Sequence, residues 1–280
     1  HFKLDLVKKY AVPLIAITIV FLLVPLGFRN VGGAHAWIRF GGITIQPSEF
    51  TKVVMILIFA VYLGDRKYNP KAKASDLLAV PVGFLLLSAF IITVLQKDLG
   101  SAAVLMLMMI FVFMVPMNKT IRKIQNWTLV LYTFGFAAVI YLSTSSGIEL
   151  LSKFGLKPYM VKRFATVADP FYDKVGYGYH IFRGFVSFTN GGLFGQGLGS
   201  SLGKHGFIPE ARTDFILAVI VEELGMFGLS IILIFYGLIL YSLLKHAFSM
   251  KYEKDKIILV GVAAYLMVHF LFNVGGITAL

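Results

Sequence analysis

Seven blocks of this chain, near residues 11–28, 48–64, 77–95, 99–117, 127–143, 215–244 and 257–276, are apolar enough and long enough to cross a lipid bilayer. A hydrocarbon core takes roughly 17 to 25 helical residues per crossing, and lipid offers no partner to a bare backbone N–H or C=O. Each block must therefore satisfy its own backbone, which leaves the α-helix. The expected fold class is all-α: a polytopic membrane helical bundle of about seven spans, with 58% hydrophobic residues and a mean hydropathy of +0.81. Charged residues make up 14% of the chain, against about a quarter in a soluble domain. Cysteine is absent, which excludes disulfides and Cys-ligated metal sites.

Two blocks depart from the usual length. The block at 48–64 is short, and the one at 215–244 is long, so it starts outside the bilayer or tilts strongly. Only Gln96-Lys97-Asp98 separates the third and fourth blocks, which predicts a tight hairpin. The chain opens on His1, shows no signal peptide and stops at Leu280 inside an apolar run; it reads as an interior piece of a longer protein, a single integral membrane domain over 1–280.

Loop charge sets an expected orientation. The short connections 1–10, 65–76, 118–126 and 245–256 hold 14 of the 26 Lys and Arg, and they alternate with the spans. The positive-inside rule makes them cytoplasmic, residues 1–10 included, and the 144–214 loop extracytoplasmic. A loop of about seventy residues is long enough to be either functional or disordered. Its many aromatics, Phe154, Tyr159, Phe164 and Phe171 among them, argue for packing. Helices are expected near 149–168 and 176–189, followed by a Gly-rich turn region at 190–206.

Charge then marks candidate sites, because an ionisable group facing the membrane is costly unless it is used or paired. Pro209-Glu210-Ala211-Arg212-Thr213-Asp214 ends the long loop where the sixth span begins, with Glu222 and Glu223 further in. Adjacent residues cannot share a helix face, so at most one of that pair lines the same cleft. Gln46-Pro47-Ser48-Glu49-Phe50-Thr51-Lys52 opens the second span, with Glu49 and Lys52 on one helix face. Its alternative is a capped helix start with a weak surface ion pair. Lys97, Asp98 and Arg163 add outer charges that could equally anchor lipid headgroups. Together the outer carboxylates and cations suit an anionic substrate, with a carboxylate left for proton abstraction. The glycine run from Gly191 and Gly192 to Gly203-Lys204 fails both the P-loop and the dinucleotide spacing. A compact turn-rich loop or close backbone approach to a ligand remains. His180 and His205 lack metal-ligand spacing.

Taken in order, these residues resemble the SEDS family, which includes RodA, FtsW and SpoVE. The resemblance rests on Ala36-Trp37-Ile38, Gln46-Pro47-Ser48-Glu49 with Lys52, Gln96 and Asp98-Leu99-Gly100. It continues through Arg163-Phe164, Asp169-Pro170, Gly178-Tyr179-His180, Gly191-Gly192, Pro209-Glu210, Thr213-Asp214-Phe215-Ile216 and Glu222-Glu223-Leu224-Gly225. The region from Asn190 to Asp214 is closer to FtsW. Such proteins have ten membrane helices, so the resemblance implies that this piece holds the third to the ninth. It implies a peptidoglycan glycosyltransferase of the bacterial plasma membrane that polymerises lipid II in cell division or elongation. The implied partners are a class B penicillin-binding protein, which is a transpeptidase, and other divisome or elongasome membrane proteins; nucleic acid is not implied. It makes Asp214 the catalytic carboxylate and puts Glu49 and Lys52 on a cavity wall. Lys97, Asp98, Arg163, Glu210 and Arg212 complete the expected substrate-binding set, with Glu222, Glu223, Gly191 and Gly192 lining or structural. Two residues depart from the family pattern: Lys97 stands where Pro is common, and Arg212, where His is frequent, adds a cation beside Asp214. No cofactor is required, although a divalent cation (Mg or Mn) on Asp and Glu could assist. The rival readings are a lipid-linked precursor transporter and a non-catalytic scaffold for a cell-wall transpeptidase.

Overall fold

The computed structural model describes residues 4–30, 33–64, 73–153, 179–201 and 215–278. Its helices are α1 (Leu4–Lys9), α2 (Ala11–Leu23), α3 (Pro47–Leu63), α4 (Ala74–Phe90), α5 (Leu99–Met114), α6 (Lys119–Leu142), α7 (Ser145–Lys153), α8 (Tyr179–Gly191), α9 (Ile216–Ser249) and α10 (Glu253–Thr278). Every expected span is present as a helix: α2, α3, α4, α5, α6, α9 and α10. The segments Ala74–Leu95, Lys119–Leu142, Ile216–Ser249 and Glu253–Gly276 are each long and apolar enough to cross a membrane. One short antiparallel hairpin, β1 (Ile38–Phe40) with β2 (Ile43–Ile45), was not expected; it turns through Gly41 and Gly42, both at positive φ.

The chain divides into two compact units, His1–Thr128 with Leu240–Val268, and Leu129–Ile239 with His269–Leu280. In the first, α3 is the central helix. Met55, Ile56, Ile58, Phe59, Ala60, Val61 and Leu63 are all buried, so it is apolar on nearly every side, as an enclosed helix must be. This accounts for its modest length: lipid does not have to be matched all round it. Two glycines admit close neighbours. A Cβ on Gly64 would lie 2.5 Å from the Lys254 backbone, and one on Gly261 would lie 2.6 Å from Ile56. The expected hairpin between α4 and α5 is tighter than a simple turn. Residues Ile91–Leu95 form a π-helical turn, closed by Gln96 N–H donating to Ile91 O at 2.9 Å. Lys97 follows at φ 59, the one non-glycine residue at positive φ among those described. Buried Gln125 of α6 donates to Phe113 O (2.7 Å) and Pro116 O (2.9 Å), closing the end of α5.

The long sixth span carries a break that its apolar pattern did not announce. Helix α9 is broken at Gly225 (φ 69, ψ −174), so it consists of two helical segments in sequence. A break in a membrane helix frees backbone groups that must find partners. The residues after α8 supply them. Gln196 and Gly197 N–H donate to Glu222 O (2.9 Å) and Glu223 O (3.0 Å), while Met226 and Phe227 N–H donate to Gly192 O and Leu193 O (both 3.0 Å). Glycine is needed for this approach: a Cβ on Gly191, Gly195 or Gly225 would collide with the backbone of Val221, Glu223 or Leu193. The expected helix at 176–189 is α8. Of the one expected at 149–168, α7 covers the start, and the remainder lies outside the described residues.

Candidate functional site

Two polar clusters carry most of the sequence-predicted residues, one in each unit. In the first, Pro47 occupies the opening turn of α3 and sets Glu49 and Lys52 three residues apart. Lys52 Nζ donates to Glu49 Oε1 at 2.8 Å. The ammonium is buried, with 1% of its side chain exposed, whereas Glu49 keeps 31%. The weak surface pair is therefore excluded: this pair is inside the protein, and Glu49 is its accessible member. Asp98 acts electrostatically on the same ammonium. Glu49 Oε2 accepts a further bond at 2.8 Å from Tyr265 Oη of α10, whose ring lies 5.8 Å from Lys52 Nζ.

Asp98 is tied to structure as well as to charge. It is the N-cap of α5: Oδ1 accepts from Ser101 N (3.0 Å), and Oδ2 accepts from Ser101 Oγ (2.6 Å) and Gln46 Nε2 (2.9 Å). Gln46 Nε2 also donates to Ser101 Oγ at 2.8 Å, so the residue before α3 is pinned to the start of α5. Gln96 is buried, donating to Leu22 O (2.6 Å) and accepting from His35 N (2.8 Å). Lys97 is exposed beside them.

The second cluster is built on Glu222. Its carboxylate accepts from Ser201 Oγ (2.5 Å), Ser187 Oγ (3.3 Å) and Asn190 Nδ2 (3.5 Å). One buried acid thus joins α8, the glycine-rich turns and the first segment of α9. Glu223 is buried too, at 7% exposure. Phe215 packs with Ala218, Val219, Leu217 and Phe188, fixing the start of α9 directly after Asp214. Gly191 and Gly192 belong to the contact with the broken helix, which is the turn-rich reading of the glycine run. Asp214, Glu210, Arg212 and Arg163 lie outside the described residues. Among the described residues no group of three or more His, Asp and Glu could hold a metal ion.

Sequence reasoning did not single out Tyr265, Ser101, Ser187, Asn190 or Ser201. The available signal for Tyr265 was that a phenol within an apolar span needs a partner. The three Glu222 donors are uncharged and lie 21 to 35 positions from it, so no local spacing links them to that acid.

These clusters sit on a framework shared with known proteins. A family model described as a cell cycle protein, FtsW/RodA/SpoVE, matches residues 1–280. The chain belongs to this family. Stage V sporulation protein E of Bacillus subtilis is 32% identical over 274 residues, covering 95% of this chain and 69% of its own. A probable peptidoglycan glycosyltransferase FtsW of Haemophilus ducreyi is 34% identical over 223 residues, 79% of this chain and 52% of its own. Peptidoglycan glycosyltransferase RodA of Mycobacterium bovis is 31% identical over 278 residues, 92% of this chain and 53% of its own. The chain thus spans about half the length of the latter two relatives. Among solved structures, a chain of a peptidoglycan synthase complex that coordinates polymerization and crosslinking superposes with a TM-score of 0.70 at 26% identity, covering 96% of this chain and 70% of that one. RodA of Thermus thermophilus gives 0.59 at 25%, covering 95% and 66%. As an FtsW/RodA/SpoVE protein, this chain is a multi-pass membrane protein with a helical bundle fold.

Proposed function

We propose that the protein to which this chain belongs is a peptidoglycan glycosyltransferase that polymerises lipid II into glycan strands, working beside a class B penicillin-binding protein. The observation that carries this reading is the buried Glu49–Lys52 pair at the mouth of α3, in a chain related to proteins named for that activity. A buried ion pair is weak evidence for stability, since apolar residues of similar volume often serve as well. Its presence at a membrane-helix entrance favours use.

The chemistry is an inverting transfer. The sugar 4-hydroxyl oxygen attacks the anomeric carbon, the bond from that carbon to the diphosphate oxygen breaks, and undecaprenyl diphosphate leaves. The hydroxyl proton passes to Asp214. One base suffices, because diphosphate departs without a proton. Lys52, with Arg163 and Lys97, offsets the departing charge, and Glu210 and Arg212 belong to the proposed substrate-binding set. A divalent ion held by Asp and Glu would supply the same charge compensation. The long loop faces the outside of the plasma membrane, where the glycan grows.

Transporters also use broken helices. In this chain, however, the groups freed at Gly225 are engaged by Gly192, Leu193, Gln196 and Gly197, which argues against an ion or substrate site there. Full-length protein in vesicles with labelled lipid II separates the two: glycan strands are expected, and lipid II crossing the bilayer without polymer would establish the transporter.

A further inference from the structure

Glu49, Lys52 and Ile56 share one face of α3, and Gly261 and Tyr265 share one face of α10. The faces meet antiparallel, with Gly261 against Ile56 and Tyr265 against Glu49 and Lys52. The missing Cβ at Gly261 lets α10 come close enough for the phenol to reach Glu49. The carboxylate is then held from both sides, Oε1 by Lys52 Nζ and Oε2 by Tyr265 Oη, each at 2.8 Å. Because the Lys52 ammonium is buried against Glu49, an incoming diphosphate must draw it partly away from that carboxylate. If Lys52 were the sole donor, the move would leave a half-buried anion without compensation, which is costly.

We propose that Tyr265 is a positioning residue for the transfer: its hydroxyl keeps Glu49 satisfied and in place while Lys52 turns to the substrate's diphosphate. This rests on the polymerase reading above. Tyr265 touches neither substrate nor reacting atoms, and acts through Glu49.

The test uses the full-length protein with its partner transpeptidase and labelled lipid II, comparing wild type, Tyr265→Phe, Glu49→Gln and the double variant. Loss of a hydrogen bond to a charged group should raise the KM for lipid II about tenfold in Tyr265→Phe, with kcat within about twofold. In the Glu49→Gln background the same change should add less than about twofold, because the partner through which it acts is gone. An unchanged KM in Tyr265→Phe, or effects that simply multiply, would overturn the proposal. Should Glu49→Gln be inactive, melting temperatures of the four proteins in detergent decide: non-additive shifts support the link, and additive ones refute it. A wild type that makes no glycan refutes the polymerase reading and, with it, the role in transfer. The melting cycle then reports separately on the Tyr265–Glu49 link.

Discussion

The Lys52 ammonium would cost several kcal/mol to bury by itself, and Glu49 is what makes its position tolerable. Removing either partner takes from the other its ion-pair partner at 2.8 Å. Lys52→Ala or Glu49→Gln should therefore destabilise the protein by about 3–5 kcal/mol, read as a fall in melting temperature in detergent. The paired change Lys52→Met with Glu49→Gln should regain most of that stability while polymerisation stays lost. Recovery of both would make the pair purely structural. Lys97 offers a second residue-level test. Its φ of 59 costs an L-residue about 1–2 kcal/mol and is closed to proline, whose ring fixes φ near −65°. Lys97→Gly should raise stability by about 1 kcal/mol, and Lys97→Pro should lower it; the reverse order would contradict the turn described. Charge at the edge of an apolar run is conspicuous in a sequence, so Glu49, Lys52 and Asp98 were legible. The commitment of Asp98 to capping was not, because a cap and a surface acid look alike until the helix start is placed. Tyr265 was hidden for another reason: one aromatic among many in the apolar blocks is not distinctive, and its partner is 216 positions away.

Among the elements, α9 shows most clearly where local pattern stops being informative. Its apolar run gave its start and its excess length, but Gly225 looked like one more glycine in a membrane helix, where glycine is common. The break depends on the Gly191–Gly197 segment crossing beside it, a tertiary contact that hydropathy does not encode. The glycine run itself was legible as turns, since four of its members take positive φ. Two substitutions separate contact from conformation. Gly195→Ala forces a Cβ into the Glu223 backbone and should cost more than about 3 kcal/mol, whereas Gly192→Ala meets open space and should cost about 1 kcal/mol through its φ alone. Thermal unfolding of the two variants checks the ranking. Equal losses would mean that the loop does not pack against the broken helix. Glu222→Ala should destabilise as well, by about 1–3 kcal/mol, since Ser187 and Ser201 would lose their shared acceptor.

At the scale of the whole molecule, a helix in each of the seven apolar blocks was legible, because lipid demands a helix wherever an apolar run is long enough. Packing was not legible: α3 is enclosed, while α6 buries only Ile121 and Gln125 among its described side chains and exposes Trp127, Leu131, Phe134 and Phe136. Both open on polar or charged residues and run on into an apolar stretch. The orientation expected from loop charge can be checked directly, since the chain has no native cysteine to label. In intact cells a membrane-impermeant maleimide should modify Leu198→Cys, and should reach Lys123→Cys only after permeabilisation. The opposite pattern would invert the topology and place the expected catalytic loop on the wrong side for glycan growth. The proposed role of Asp214 is that of the base for glycan polymerisation. Its most direct test is full-length protein with its partner transpeptidase and labelled lipid II, wild type beside Asp214→Asn. Glycan strands from the wild type, and none from an Asp214→Asn protein that folds and binds its partner equally well, are the predicted result. Equal polymer from both would contradict it.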